Sequence, residues 1–303
     1  MENIVEKNSA RAWVLAARPK TLTGAMIPVF LGASLAYHDG CFDWKLSLLC
    51  LLFSCCMQIA ANFINDLYDF LKGTDREDRL GPERACAQGW ISADAMKKGI
   101  ACVIVVACII GLLAVALTWE NLPWSGLEYV LLGASCVVFA VLYTTVFSYL
   151  GLGDILVLVF FGLVPVCGTY FLQSLQITTD SIILGFISGI AIDALLVINN
   201  YRDRDQDKIS GKKTIVVLMG ERFGRNLYLA ICFIVDLLVL WLLIRGTIST
   251  LGFCLVVSVY TALYARTWLK MIEIRTGKAL NVILGETSRN MFLLGVILSL
   301  VLL

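Results

Sequence analysis

The sequence predicts an all-α, polytopic membrane protein: nine transmembrane helices bundled around a central cavity, with two aspartate-rich motifs on the cytoplasmic side. Three observations predict it. Of 303 residues, 59% are hydrophobic and only 16% charged, where soluble domains run nearer a quarter charged, and mean hydropathy is +0.84. Apolar runs near 20 residues, the length a helix needs to cross a bilayer, recur along the whole chain. The basic residues gather in alternate connections between those runs, as cytoplasmic loops do.

The elements follow in order. Residues 13–20 read as an interfacial lead-in carrying Arg18 and Lys20, with Arg11 just before it. Spans are expected at about 22–38, 46–65, 99–118, 127–147, 153–173, 181–200, 227–245, 250–268 and 287–303, within one integral-membrane domain over 1–303. No charged n-region, short apolar core and small-residue cleavage site precede the first run, so no removable signal is expected.

Placing the N-terminus in the cytoplasm puts 22 of the Lys and Arg residues inside and leaves Lys45 and Arg245 outside. That asymmetry sets the orientation. The outer connections are short, whereas 66–98 and 201–226 are long, cytoplasmic and polar. Functional groups collect on connections held by a rigid scaffold. A net charge of +1 excludes bulk attraction to nucleic acid. Nine of the 11 cysteines lie inside apolar runs, no CxxC pair occurs and His38 is the single histidine. These are small buried hydrophobes rather than a zinc site or a disulfide framework.

Two clusters stand out against this apolar background. Asn62, Asn65, Asp66 and Asp69, continued by Lys72 and Asp75, end the second run; Asn199, Asn200, Asp203 and Asp207 end the sixth. Gln58, Asn62, Asp66 and Asp69 step by four, four and three, which places them on one helix face, and the second cluster follows the same rule. Aligned carboxylates repel unless a cation lies between them, and oxygen-only ligand sets suit hard divalent ions such as Mg²⁺. Lys72, Arg76, Arg79, Arg84, Arg202, Lys208 and Lys212 lie around these aspartates, with Arg18 and Lys20 within range. Carboxylates interleaved with cations suit a diphosphate, with metal on its inner oxygens and Arg or Lys on the outer ones. One mixed-charge helix end is ordinary solvated surface. Two with matched Asn–Asp order on the same side of the membrane point to a site.

At these residues the chain resembles the UbiA-type intramembrane prenyltransferases and, within them, the 1,4-dihydroxy-2-naphthoate polyprenyltransferases of menaquinone synthesis. The resemblance runs nearly end to end. It rests on Arg18-Pro-Lys-Thr21, Asn65-Asp66-Leu-Tyr-Asp69 with Lys72-Gly-Thr-Asp75, Gly81-Pro-Glu-Arg84, Gly151-Leu-Gly-Asp154, Asn199-Asn-Tyr-Arg-Asp203 with Asp207, Gly211-Lys212, and Leu280-Asn281. The chain departs from the family in its Asp66, Asp69, Asp75 spacing, in Asp154 where Glu is expected, and in Asp193 inside span six. The resemblance implies a polyprenyl diphosphate bound through Mg²⁺ on Asp66, Asp69, Asp203 and Asp207, with Asp75 a further ligand. Asn62, Asn65, Asn199, Asn200, Arg and Lys would assist. It also implies transfer of the chain to 1,4-dihydroxy-2-naphthoate with loss of CO₂ and diphosphate, giving demethylmenaquinone in a bacterial cytoplasmic membrane.

Other readings stay open at this stage. The acceptor could be hydroxybenzoate, homogentisate or haem, and a divalent-cation transporter would also need aspartates. Tyr143, Tyr149 and Tyr170 could stack on a carbocation or simply pack, and Asp154 could orient the acceptor or a basic side chain. Asp193 lies ten residues before Asp203, about 15 Å deeper along a helix, facing either the pocket or a structural partner.

Overall fold

The structure is a computed structural model that describes residues 5–73, 79–143, 147 and 151–303. All regular structure in these residues is helical. A short helix α1 (Ala10–Ala17) is capped by the Ser9 hydroxyl, which accepts from the Ala12 amide. A 3-10 turn at Pro19–Thr21 leads into α2 (Leu22–His38). Then come α3 (Trp44–Leu71), α4 (Ala93–Thr118) and α5 (Leu127–Leu142). The next span is composite: α6 (Gly153–Leu158), a π turn (Val159–Leu163) and α7 (Val164–Ser174). The rest is α8 (Thr179–Ile209), short α9 (Ile215–Met219), α10 (Glu221–Arg245), α11 (Thr250–Ile274) and α12 (Leu280–Leu302).

Seven helices among the described residues are long and apolar enough to cross a membrane: α3, α4, the composite α6–α7, α8, α10, α11 and α12. The two remaining expected spans are shorter. Helix α2 has 17 residues and α5 has 16, about 25 Å at 1.5 Å per residue against a hydrocarbon core of about 30 Å. Beyond Leu142, Tyr143 and Phe147 take π-helical geometry. Several helices outrun the expected boundaries at their polar ends. Helix α3 continues to Leu71 and α8 to Ile209, while α10 begins at Glu221. Hydropathy marks where the bilayer ends, not where backbone hydrogen bonding stops, so both aspartate motifs sit on helix.

Helix α8 is the hub. Its most apolar window is 67% buried within the protein, against 11% for α4, and α2, α6, the π turn, α7, α9, α10 and α12 all pack on it. A close approach is at the π turn, where a Cβ on Gly162 would lie 2.4 Å from the Gly185 carbonyl oxygen. The Ser188 hydroxyl donates to the Phe161 carbonyl at 2.9 Å, so a main-chain oxygen inside the turn has a partner. Gly151 (φ +74°) would place a Cβ 2.4 Å from the Lys213 carbonyl oxygen. That contact ties the start of α6 to the connection after α8, and it brings Asp154 beside the aspartates of α8. A second, smaller core joins α1 and α3 to residues 85–96 through Ala12, Phe63, Leu67, Ala85, Cys86 and Met96.

Candidate active site

The polar ends of α3 and α8 enclose a cavity of about 220 Å³. Helix α3 contributes Asn65 and Asp69; α8 contributes Leu196, Asn199, Asn200, Arg202, Asp203 and Asp207. On α8 the spacing Asn199, Asp203, Asp207 keeps one helix face toward the cavity. Tyr143, Gly153 and Asp154 arrive from the α5–α6 region, and Arg79, Pro82 and Arg84 from the segment after α3. Arg18, Gly151, Lys212 and Thr214 complete the lining. Part of the first aspartate motif, Asn65 and Asp69, therefore lines the same cavity as Asn199, Asn200, Asp203 and Asp207 of the second.

The carboxylates are held in distinct ways. Asp69 accepts from Arg84 Nη2 at 2.6 Å. Asp203 takes Arg202 as a fork, Nε at 2.7 Å and Nη2 at 2.5 Å. Arg202 is 3% exposed and also donates to Asn199 Oδ1 and Asn281 Oδ1, both at 2.7 Å. Asp207 faces Lys212 Nζ at 3.5 Å. Asp66 differs from all three. It is 1% exposed, it does not line the cavity, and its two oxygens accept the backbone amides of Ala85 (2.8 Å) and Cys86 (2.9 Å).

Other expected site residues divide the same way. Asn62 is turned to the α1–α2 junction, donating to the Ala17 carbonyl and to Thr21 Oγ1, both at 2.9 Å. Lys20 and Lys72 are exposed and outside the cavity lining. Asp75 and Tyr149 lie outside the described residues. Tyr170 donates to Asp39 Oδ2 at 2.5 Å, next to the connection between α2 and α3, which makes its role structural. Asp193 is not in the lining, although its Oδ1, like that of Asp154, is buried without a hydrogen-bond partner. Sequence reasoning quoted Arg202 and Asn281 within motifs but gave neither a role of its own: the buried fork of Arg202 and its bond to Asn281 at the start of α12 have no periodicity to mark them.

Arg18 shows how the cavity is tuned. Its backbone takes the left-handed conformation (φ 51°) between α1 and the 3-10 turn, a strain of about 1 kcal/mol or more for a residue with a Cβ. Its Nη2 is buried without a hydrogen-bond partner. Burial first, and the neighbouring Arg84 second, push this guanidinium down to about 9, so it remains charged at neutral pH. A buried cation short of an acceptor is what an anionic ligand would satisfy.

Five cationic side chains and four carboxylates line the cavity. Among the described residues no three acidic, Cys or His side chains are grouped closely enough to hold a metal ion. The carboxylate and amide oxygens are nonetheless the donor set a hard divalent ion takes, and such an ion usually completes its shell with waters and substrate phosphate. The residues fit a metal that binds together with a phosphorylated ligand. A larger groove of about 660 Å³ between α2, α3 and α12 has no charged residue in its lining and offers none of this chemistry.

Residues 25–297 match the UbiA prenyltransferase family. The chain belongs to that family. A 1,4-dihydroxy-2-naphthoate octaprenyltransferase of Haemophilus influenzae is 39% identical over 71% of both chains, and the protein of that name in Mycobacterium leprae is 32% identical over 91% of this chain and 90% of its own. UbiA prenyltransferase domain-containing protein 1 of Mus musculus is 30% identical over 75% of this chain and 67% of its own. Among solved structures, a UbiA homolog from Archaeoglobus fulgidus bound to DMAPP and Mg²⁺ superposes with a TM-score of 0.66. It is 11% identical and covers 96% of this chain and 98% of its own. At that identity the likeness is one of fold, and it extends the UbiA fold over nearly the whole chain.

Proposed function

We propose that this protein transfers a polyprenyl chain from polyprenyl diphosphate to 1,4-dihydroxy-2-naphthoate, the prenyl-transfer step of menaquinone biosynthesis. The reading is carried by relatives named for that activity at 32–39% identity. The cavity supports it, because interleaved cations and carboxylates suit a metal-bound diphosphate. The donor's C1–O bond breaks and diphosphate departs. The ring carbon bearing the carboxylate bonds to the allylic cation, and that carboxylate leaves as CO₂, so aromaticity returns and the product is the quinol form of demethylmenaquinone.

In this mechanism Asp69 from α3 and Asp203 and Asp207 from α8 would hold Mg²⁺, with Asn65, Asn199 and Asn200 as neutral oxygen donors nearby. When bound, the ion offsets charge developing on the departing diphosphate. Arg18, Arg79, Arg84 and Lys212 bind the outer phosphate oxygens and keep the diphosphate at the cavity. Arg84 and Lys212, which here pair with Asp69 and Asp207, would serve the carboxylates and the phosphate together. Tyr143 presents its ring to the allylic carbon, and Asp154 accepts from a hydroxyl of the acceptor ring. The bundle comprises nine crossings in one domain of a bacterial inner membrane, with the N-terminus and both motifs in the cytoplasm; the 22-to-2 distribution of basic residues supports that orientation.

Purified protein with a polyprenyl diphosphate and a panel of aromatic acids, with and without EDTA, tests this. The expected result is naphthoate prenylation with CO₂ release, abolished by EDTA and restored by Mg²⁺. Turnover on hydroxybenzoate alone would overturn the acceptor assignment, and diphosphate release undiminished by EDTA would overturn the metal.

A further inference from the structure

Asp66 carries the most conspicuous position of the first motif, yet it is absent from the cavity lining. Both oxygens are engaged by main-chain amides, those of Ala85 and Cys86, and the side chain is 1% exposed. The segment it grips has a second anchor at its other end. Asn281 of α12 donates Nδ2 to the Leu80 carbonyl at 2.9 Å, while its Oδ1 accepts from Arg202 of α8. Gly81 sits so close to this junction that a Cβ would lie 3.0 Å from Arg202 Nη2. Between the anchors run Pro82, Glu83 and Arg84, and both Pro82 and Arg84 line the cavity.

We infer that residues 80–86 form a strap across the cavity, and that Asp66 and Asn281 are positioning residues that hold its two ends, so that Asp66 is not a metal ligand. The inference rests on the reading above, in which the donor diphosphate and its metal occupy this cavity.

The physical reasons are direct. A carboxylate accepting two backbone amides makes charge-assisted bonds that fix a turn in place. The turn is further secured from behind, since Ala85, Cys86 and Ile91 are buried against α1 and α3, and the Trp90 amide donates back to the Ala85 carbonyl at 2.9 Å. With Ala85 held, the Arg84 guanidinium reaches Asp69 and is placed where a phosphate oxygen would arrive. With Leu80 held, the strap is referred to Arg202, whose fork sets Asp203. One segment thereby registers the α3 half of the site against the α8 half. A strap held at both ends meets the donor with Arg84 already ordered, which lowers the entropic cost of binding. Loosening either end weakens donor binding without removing any ligand of the ion.

The test compares Asp66→Asn, Asn281→Asp, Asp69→Asn and Asp203→Asn in detergent-purified protein. Amide hydrogen exchange of residues 79–91 is read without substrate; turnover is read against donor and Mg²⁺ concentration. In Asp66→Asn the Ala85 and Cys86 amides exchange about tenfold faster and the donor KM rises about tenfold, the scale of one charge-assisted bond lost. The Mg²⁺ concentration for half-maximal turnover stays at the wild-type value. Asn281→Asp keeps the acceptor for Arg202 but removes the donor to Leu80, so it raises donor KM with the Mg²⁺ requirement unchanged; it carries the test alone if Asp66→Asn does not fold. Asp69→Asn raises the Mg²⁺ requirement.

Asp66→Asn raising that requirement as far as Asp69→Asn does, with 85–86 protection intact, overturns the strap. So does a wild-type donor KM in Asn281→Asp. If neither Asp69→Asn nor Asp203→Asn alters the Mg²⁺ dependence, it is the metal reading that fails, and the exchange and donor-KM results still decide the strap.

Discussion

The two aspartate motifs look like repeats of one device, but they are wired differently. On α8, Asp203 and Asp207 both line the cavity, and each is held by a cation from its own neighbourhood, Arg202 and Lys212. On α3 only Asn65 and Asp69 reach the cavity; Asn62 and Asp66, on the same helix, bind the α1–α2 junction and the 85–86 backbone. The α8 motif thus faces the cavity, while the α3 motif is divided between cavity and scaffold. The difference follows from what each helix packs on. Helix α8 is wrapped by other helices along its length, whereas α3 must also fasten a connection that has no regular structure of its own between Arg79 and Trp90.

Four predictions would break or sharpen that contrast. The largest effect is expected for Arg202→Ala. It removes a buried fork and leaves Asp203, Asn199 and Asn281 without their shared donor. A loss of about 3–5 kcal/mol is expected, read as a lowered midpoint of thermal unfolding in detergent; an unchanged midpoint would mean the α8 motif does not depend on its own cation.

Next come Asp69→Asn and Asp203→Asn, one from each motif. Both should lower kcat about 10²–10³-fold, as loss of a group stabilising transition-state charge does. Unequal losses would show that one motif carries the ion and the other only the phosphate.

A smaller effect is expected for Arg18→Ala, which removes a cavity-lining cation whose charged neighbours are Arg84, Asp66, Arg79 and Asp69. Donor KM should rise about tenfold with kcat nearly unchanged, on the scale of one charge-assisted bond. A kcat loss with unchanged KM would place Arg18 in the chemical step instead.

The smallest effect is reserved for Lys20→Ala and Lys72→Ala. Both side chains are exposed and outside the cavity lining, so turnover and unfolding midpoint should stay within about twofold and about 0.5 kcal/mol of wild type. A tenfold loss in Lys72→Ala would extend the α3 half of the site past Leu71.

Much of this was legible in the residues themselves. Membrane character and the succession of apolar helices follow from hydropathy and from the bilayer's thickness, which are local properties. The alignment of Asn199, Asp203 and Asp207 on one face of α8 was also legible, because helical spacing assigns side chains to faces without reference to any neighbour. Residue for residue, α2 occupies the expected 22–38. The misplacement of Asn62 and Asp66 has the opposite origin. Both lie on the correct helix and close to the correct face, but about 100° per residue of helical rotation separates a side chain that enters the cavity from one that meets a packed turn. Which neighbour occupies that sector is not written in α3.

What the sequence by itself determined, then, is composition-driven: a helical membrane protein, its polar ends, and a chemistry of aspartates, amides and cations gathered at them. Only the tertiary structure decided which of those groups share the cavity and which hold the scaffold around it. Arg202, Asn281 and residues 80–86 are brought together from three distant parts of the chain. A hydrogen bond depends on distances of a few tenths of an ångström between such parts, and no local pattern in any one of them encodes that distance.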